Sequence, residues 1–220
     1  GIKELAKEQA AFDAAAKIIN PNKKPIDVYN EMQKEHSTAA NLIPDAKKHL
    51  EDIRQFLIDK KIITMPSEVR VKVEETLPYL RETSTASMDT PGPFEEKATE
   101  AYYYITPVNM KWTPSQQEDW LMQFNYYGTD IVSIHEAYPG HYTQFLHLNA
   151  SDASKIQKIF GSYAFIEGWA HYTEKMLVEA GFAQDGDSIR AAKYRLAQSG
   201  EALLRLCRLY VSINTHCHGM

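Results

Sequence analysis

Residues 135–141, His-Glu-Ala-Tyr-Pro-Gly-His, place two imidazoles, a carboxylate and a Pro-Gly pair within seven positions. Proline removes a backbone donor and disfavours helical geometry in the residue before it, while glycine tolerates unusual dihedrals. The local structure of this stretch is therefore tightly constrained. Two histidines flanking a glutamate is also the minimal chemistry of a hydrolytic zinc site: the imidazoles hold the metal and the glutamate takes a proton from bound water. The spacing is unusual. Histidines four apart on a helix differ by about 40° and can share a metal, whereas six apart they differ by about 240°. Two readings of Pro139-Gly140 follow. A local bulge loops out two residues and returns His141 over His135, as bulges inside helices do at functional sites. Alternatively the pair ends the helix and His141 caps a turn.

A second segment, Glu167-Gly168-Trp169-Ala170-His171-Tyr172-Thr173-Glu174, begins 26 residues after His141. Glu167, His171 and Glu174 stand at i, i+4 and i+7, one stripe of a helix. Phe165, Ile166, Trp169 and Met176 surround them. A carboxylate among apolar residues is costly to bury unless it is paired or bound to a metal. The alternative for Glu167 is a surface carboxylate at a helix N-terminus. Gly168 is unfavourable in a helix and is read as a point of close approach for another backbone. His135, His141 and Glu167 together make a His₂Glu set, which leaves a fourth position for water as catalytic zinc sites do. Glu136, next to a ligand, is placed to act as general base, with water attacking a polarised carbonyl. The donor set suits zinc and tolerates other divalent ions.

The chain has 220 residues, 44% hydrophobic and 24% charged, an ordinary globular composition. A net charge of -5 without a basic stripe argues against nucleic acid as a partner. No apolar run approaches the roughly 20 residues needed to span a bilayer. The chain begins at Gly1 and stops just after an apolar stretch, which reads as a piece of a longer protein and leaves the compartment open. Cys207 and Cys217 would lie about 15 Å apart on a continuous helix, too far to bridge, and are read as reduced, mostly buried thiols.

Periodicity predicts helices over 3–19, over 26–42 with Pro44 as its stop, and through Leu50, Ile53, Phe56 and Leu57 to about Lys60. Val69, Val71 and Val73 alternate with charged residues as a half-buried strand. Residues 83–100 read as a long loop, and Tyr102 to Ile105 as a second strand closed by Pro107. Thr113-Pro114-Ser115-Gln116 is a helix start with a capping box, and Gly128 its end. Thr129 or Asp130 opens the helix carrying His135. Further helices cover about 161–180 and 188 to the end. The fold class is mainly α with a small β-sheet (α+β), divided into an N-terminal helical region over 1–65 and a metal-binding catalytic region over 66–220. His36 and His49 are read as surface groups, and His147 and His218 as structural or solvated.

His-Glu-x-x-Pro-Gly-His followed by Glu-Gly-Trp-Ala-His-Tyr resembles a bacterial family of zincin-like proteins, domain of unknown function 885. Tyr102-Tyr103-Tyr104-Ile105 is similar to its tyrosine-rich strand, and Arg208-Leu209-Tyr210-Val211 with His216 to its C-terminal helix. The resemblance runs from about Pro66 to Met220. It implies a zincin-like helical metallopeptidase fold with zinc held between two helices. By matching position, His135, His141 and Glu167 are the ligands and Glu136 the base, and His216 stabilises the oxyanion. Arg208 holds a substrate carboxylate or pairs with a helix acid. His171 orients Glu167, donates to the transition state, or is structural. The strand with Tyr103 either offers an edge to an extended peptide or packs in the sheet. Ser212 replaces an aspartate common in the family, and Tyr142 a histidine. Family chains are longer, so an N-terminal helical portion is expected to pack on this region. The implied activity is a zinc-dependent hydrolase cleaving a peptide or small amide. The alternative is a non-catalytic helical metal-binding module.

Overall fold

The computed structural model describes residues 1–95 and 99–219. Nine α-helices and three strands are found among them: α1 (Ile2–Ile19), α2 (Pro25–Met32), α3 (Leu42–Asp59), β1 (Val71–Glu75), β2 (Ala86–Asp89), β3 (Ala101–Ile105), α4 (Pro114–Gln123), α5 (Tyr126–Glu136), α6 (His141–Ala150), α7 (Lys155–Ile159), α8 (Tyr163–Glu179) and α9 (Ser188–His218). The expected class, mainly α with a small sheet, is what forms. No described helix is long and apolar enough to cross a membrane.

Contacts divide the chain into two compact units, Gly1–Glu35 with Val178–Met220, and His36–Leu177. The division at 65/66 differs from this, because α3 packs with α5 and β1, whereas α1 and α2 pack with α9. In the first unit, α1 buries Phe12, Ala15 and Ala16, and α9 buries Leu196, Ala197, Ser199 and Ala202. Small side chains let the helices approach closely, and the Tyr29 ring lies over Gly200, 3.0 Å from where a Cβ would stand. Buried Glu8 accepts from Ser199 Oγ at 3.3 Å and Arg195 Nη2 at 3.4 Å. Asp187 starts α9 by accepting from the amides of Ile189 and Arg190. Both cysteines lie on α9, free and exposed rather than buried.

The second unit is built on the sheet, order β1-β3-β2, with β1 parallel and β2 antiparallel to β3. Val73 stands beside Tyr103, and Tyr103 beside Met88. Val71, Val73, Ala101, Tyr103 and Ile105 point inward, to the side where α3 contributes Leu50, Ile53 and Leu57 and α5 contributes Ile131 and Ile134. β2 forms inside the stretch expected as a loop, of which residues 96–98 lie outside those described. Pro44 does not stop a helix. It sits in the first turn of α3, where its missing N–H leaves no intrahelical bond unmade, and α2 ends ten residues earlier than expected, at Met32. Gly128 likewise lies in the first turn of α5, its amide donating to the Asn125 cap at 2.9 Å. The capping box of Thr113 and Gln116 is formed as expected.

Candidate metal centre

Helix α5 ends at Glu136 and α6 begins at His141, so the Pro-Gly pair separates two helices rather than bulging within one. The Tyr138–Pro139 peptide is cis. The turn still satisfies its polar groups. The Ala137 amide donates to Ser133 O at 2.9 Å, and the Gly140 amide reaches six residues back to Ile134 O at 3.0 Å. Thr143 donates to Ala137 O from its amide at 3.3 Å and from Oγ1 at 3.2 Å. Trp169 of α8 donates from Nε1 to Pro139 O at 2.9 Å. A Cβ on Gly140 would stand 1.7 Å from the His135 carbonyl oxygen, so only glycine fits there. Tyr138 and Tyr142 tie the turn to the segment entering β1. Val71 N–H donates to Tyr138 Oη at 3.1 Å, and Tyr142 Oη donates to Val69 O at 3.0 Å. Burial pushes the Tyr142 hydroxyl up to about 12, so it stays protonated at neutral pH. Tyr142 is thus a core residue.

The closed turn brings the imidazoles of His135 and His141 edge to face, ring centroids 4.7 Å apart at 89°. Glu167 of α8 completes the group. His135 Nε2 is 3.5 Å from Glu167 Oε2 and His141 Nε2 is 3.6 Å from Glu167 Oε1. One ligand atom from each of the three residues lies within 4.8 Å of the others. Both histidines are buried, and the Glu167 side chain is 57% exposed, so the cluster opens to solvent on the α8 side.

Glu136 ends α5, half-buried, one residue from His135. Its carboxylate and that of Asp130 add to burial in holding the Tyr103 hydroxyl protonated. Tyr103 is fully buried and accepts from Ser133 Oγ at 3.3 Å. It lies on the central strand, paired on both sides, so β3 offers no edge to a peptide and Tyr103 no surface. Tyr102 and Tyr104 stack on the sheet's other face, centroids 5.7 Å apart.

His171 does not orient Glu167. Its Nδ1 lies 3.1 Å from Glu174 Oε2, and Glu174 Oε1 lies 2.7 Å from His135 Nδ1. Glu174 is fully buried. Sequence reasoning saw Glu174 only as a member of the α8 stripe; its partner His135 lies 39 residues away in the chain. Gly168 has nothing within 4 Å of a built Cβ, so no backbone approaches it. Arg208 and His216 are exposed residues of α9, in the first unit.

Three histidines outside the cluster have structural partners. His147 Nε2 donates to Thr64 O at 2.9 Å, as its structural reading expects. His36 and His49, expected at the surface, are tied down. His36 Nε2 meets Glu118 at 3.1 Å, and His49 Nδ1 meets buried Asp130 at 2.8 Å.

Comparison with known proteins gives the fold and a family but no activity. The chain superposes on "The structure of a putative lipoprotein of unknown function from Shewanella oneidensis" with a TM-score of 0.83 and 24% identity, over 100% of this chain and 39% of that one. For "the putative lipoprotein from Colwellia psychrerythraea" the values are 0.78 and 17%, over 99% of this chain and 36% of that one. The chain thus spans about two-fifths of the length of these solved structures. No curated protein matches it. The sequence matches the family described as "Bacterial protein of unknown function (DUF885)" over residues 1–220, including the first 65 residues where the motif resemblance did not reach, and the chain belongs to that family.

Proposed function

We propose that His135, His141 and Glu167 hold one divalent ion, zinc by the nature of the donors. We further propose that the protein is a hydrolase of the metallopeptidase type, acting on a peptide or small amide. One observation carries this reading. The Nε2-to-carboxylate separations, 3.5 and 3.6 Å, are too long for hydrogen bonds. Donors around a tetrahedral zinc at about 2.0–2.1 Å stand roughly 3.3–3.4 Å apart. Each imidazole thus faces one oxygen of the same carboxylate at a distance close to that spacing, and one ligand atom from each of the three residues lies within 4.8 Å of the others, which supports an ion between them. When bound, the ion supplies a Lewis acid that polarises a carbonyl and acidifies water.

The rest is done by the chain. Glu136, adjacent to His135 and half-buried, receives the proton of the attacking water and returns it to the leaving amine. The buried imidazole side keeps bulk water from the back of the centre, and the exposed Glu167 side admits substrate. A site with only a structural purpose has no use for a base at Glu136.

The test is metal analysis with Glu136→Gln. We expect one zinc per chain in both proteins, and peptide hydrolysis lower by about 10²–10⁴-fold in the variant. A protein that takes up no zinc overturns the ligand set. A Glu136→Gln variant that hydrolyses at the wild-type rate overturns the base, and a wild type that takes up zinc but hydrolyses no peptide leaves a non-catalytic metal-binding module.

A further inference from the structure

We infer that Glu174 and His171 are the positioning residues of this centre: Glu174 selects the tautomer of His135 that aims a lone pair at the cluster, and His171 fixes Glu174. The consequence for metal binding rests on the reading above; the tautomer does not. Glu174 stands two turns after Glu167 on the same stripe of α8, fully buried. An ionised carboxylate only accepts hydrogen bonds, so the nitrogens facing it carry the protons. These are His135 Nδ1 at 2.7 Å and His171 Nδ1 at 3.1 Å, one on each carboxylate oxygen. A buried carboxylate is strongly disfavoured unless such donors meet it.

A neutral imidazole protonated at Nδ1 has its lone pair on Nε2. In His135 that is the atom 3.5 Å from Glu167 Oε2. The bond at the far nitrogen also fixes rotation of the ring. Metal-ligating histidines are characteristically oriented through their second nitrogen in this way, and loss of the partner typically lowers metal affinity 10–100-fold. The second oxygen of Glu174 is held by His171, whose side chain is 36% exposed, so the carboxylate is fixed from both sides. Glu167 and Glu174 thus divide the labour of one helix: the exposed carboxylate faces the cluster and the buried one faces the back of a cluster imidazole.

The experiment has two readouts on the whole protein. Long-range ¹⁵N–¹H NMR of the metal-free protein should show His135 protonated at Nδ1. In Glu174→Gln, which presents a donor as well as an acceptor, that selection should be lost. Zinc competition against a chromogenic chelator should give a Kd raised about 10–100-fold in Glu174→Gln, and raised by a smaller factor in His171→Ala. A merely structural carboxylate would change the melting temperature and leave the tautomer and the zinc Kd where they were; that result overturns the inference. If Glu174→Gln fails to fold, His171→Ala decides, and a zinc Kd unchanged in that variant overturns it. A wild-type protein that binds no zinc yet shows His135 protonated at Nδ1 removes the metal reading and keeps the role of Glu174.

Discussion

Gly140→Ala is the sharpest perturbation available to the centre. The added Cβ would stand 1.7 Å from His135 O, 2.4 Å from His135 C and 2.5 Å from Ile134 O. All three are backbone atoms, so no side chain can swing aside. To open even a 3.0 Å contact, the start of α6 must move from the end of α5 by at least about 1.3 Å. A metal site tolerates about ±0.2 Å in its ligand distances. The required shift is several times that, and it falls between the two histidines. The Gly140 amide bond to Ile134 O is broken by the same movement.

Overpacking of this kind costs about 1–3 kcal/mol, and each kcal/mol lowers Tm by roughly 2–4 °C in a domain of this size. On the proposed metal reading, loss of zinc affinity should be larger than for a positioning residue, beyond about 100-fold, because a proposed ligand itself is displaced. Thermal melting by circular dichroism and chelator competition read the two effects separately. A Gly140→Ala protein that melts at the wild-type temperature and binds zinc with wild-type affinity would refute both the close approach and its role in the centre.

Two further outcomes follow from the same geometry. Gly168→Ala, in the middle of α8 with open space around it, should stabilise the protein by about 0.5–1 kcal/mol and raise Tm, as helical Gly→Ala changes do; a fall in Tm would mean that something packs there. His49 has a raised pKa, first through its hydrogen bond to Asp130 and then, against the opposing effect of burial, through the charges of Asp130, Asp52 and Asp45. Its protonated form is favoured on folding, so the stabilisation is full below the unfolded value of about 6.5 and fades as pH rises through the folded value. The Tm advantage of wild type over His49→Asn should therefore shrink as pH rises above about 6.5, and an advantage that grows with pH would show the sign to be wrong.

What could be read before folding was whatever is local. The Thr113–Gln116 capping box depends on residues three apart and formed as expected. The α8 stripe is a matter of helical period, and Glu167 was legible from it. Pro44 was misread because a proline marks a helix start as readily as a stop, and the Asn41 cap before it carries no side-chain bond to distinguish them. β2 was missed because Ala-Ser-Met-Asp has neither alternation nor branched residues; it is a strand because β3 pairs with it. The edge-strand reading of Tyr103 failed for the same reason, since strand order is set by topology and not by composition. His49 and Glu174 were under-read because their partners are 81 and 39 residues away.

The six-residue spacing of the histidines changes what the site depends on. Histidines four apart on one helix inherit their relative placement from helical period and need little else. Here α5 and α6 are separate helices, and the placement rests on the turn between them. Inside the turn it is held by the Gly140 amide on Ile134 O. From outside it is held by the Trp169 indole on Pro139 O. Trp169 is two residues from Glu167 and five from Glu174 on the same helix. Docking of α8 therefore delivers the third cluster residue, the carboxylate behind His135 and the anchor of the turn before His141 in one step. A fault that loosens α8 should therefore remove the third cluster residue, the carboxylate behind His135 and the outer anchor together, leaving the two histidines held only by the bonds inside the turn.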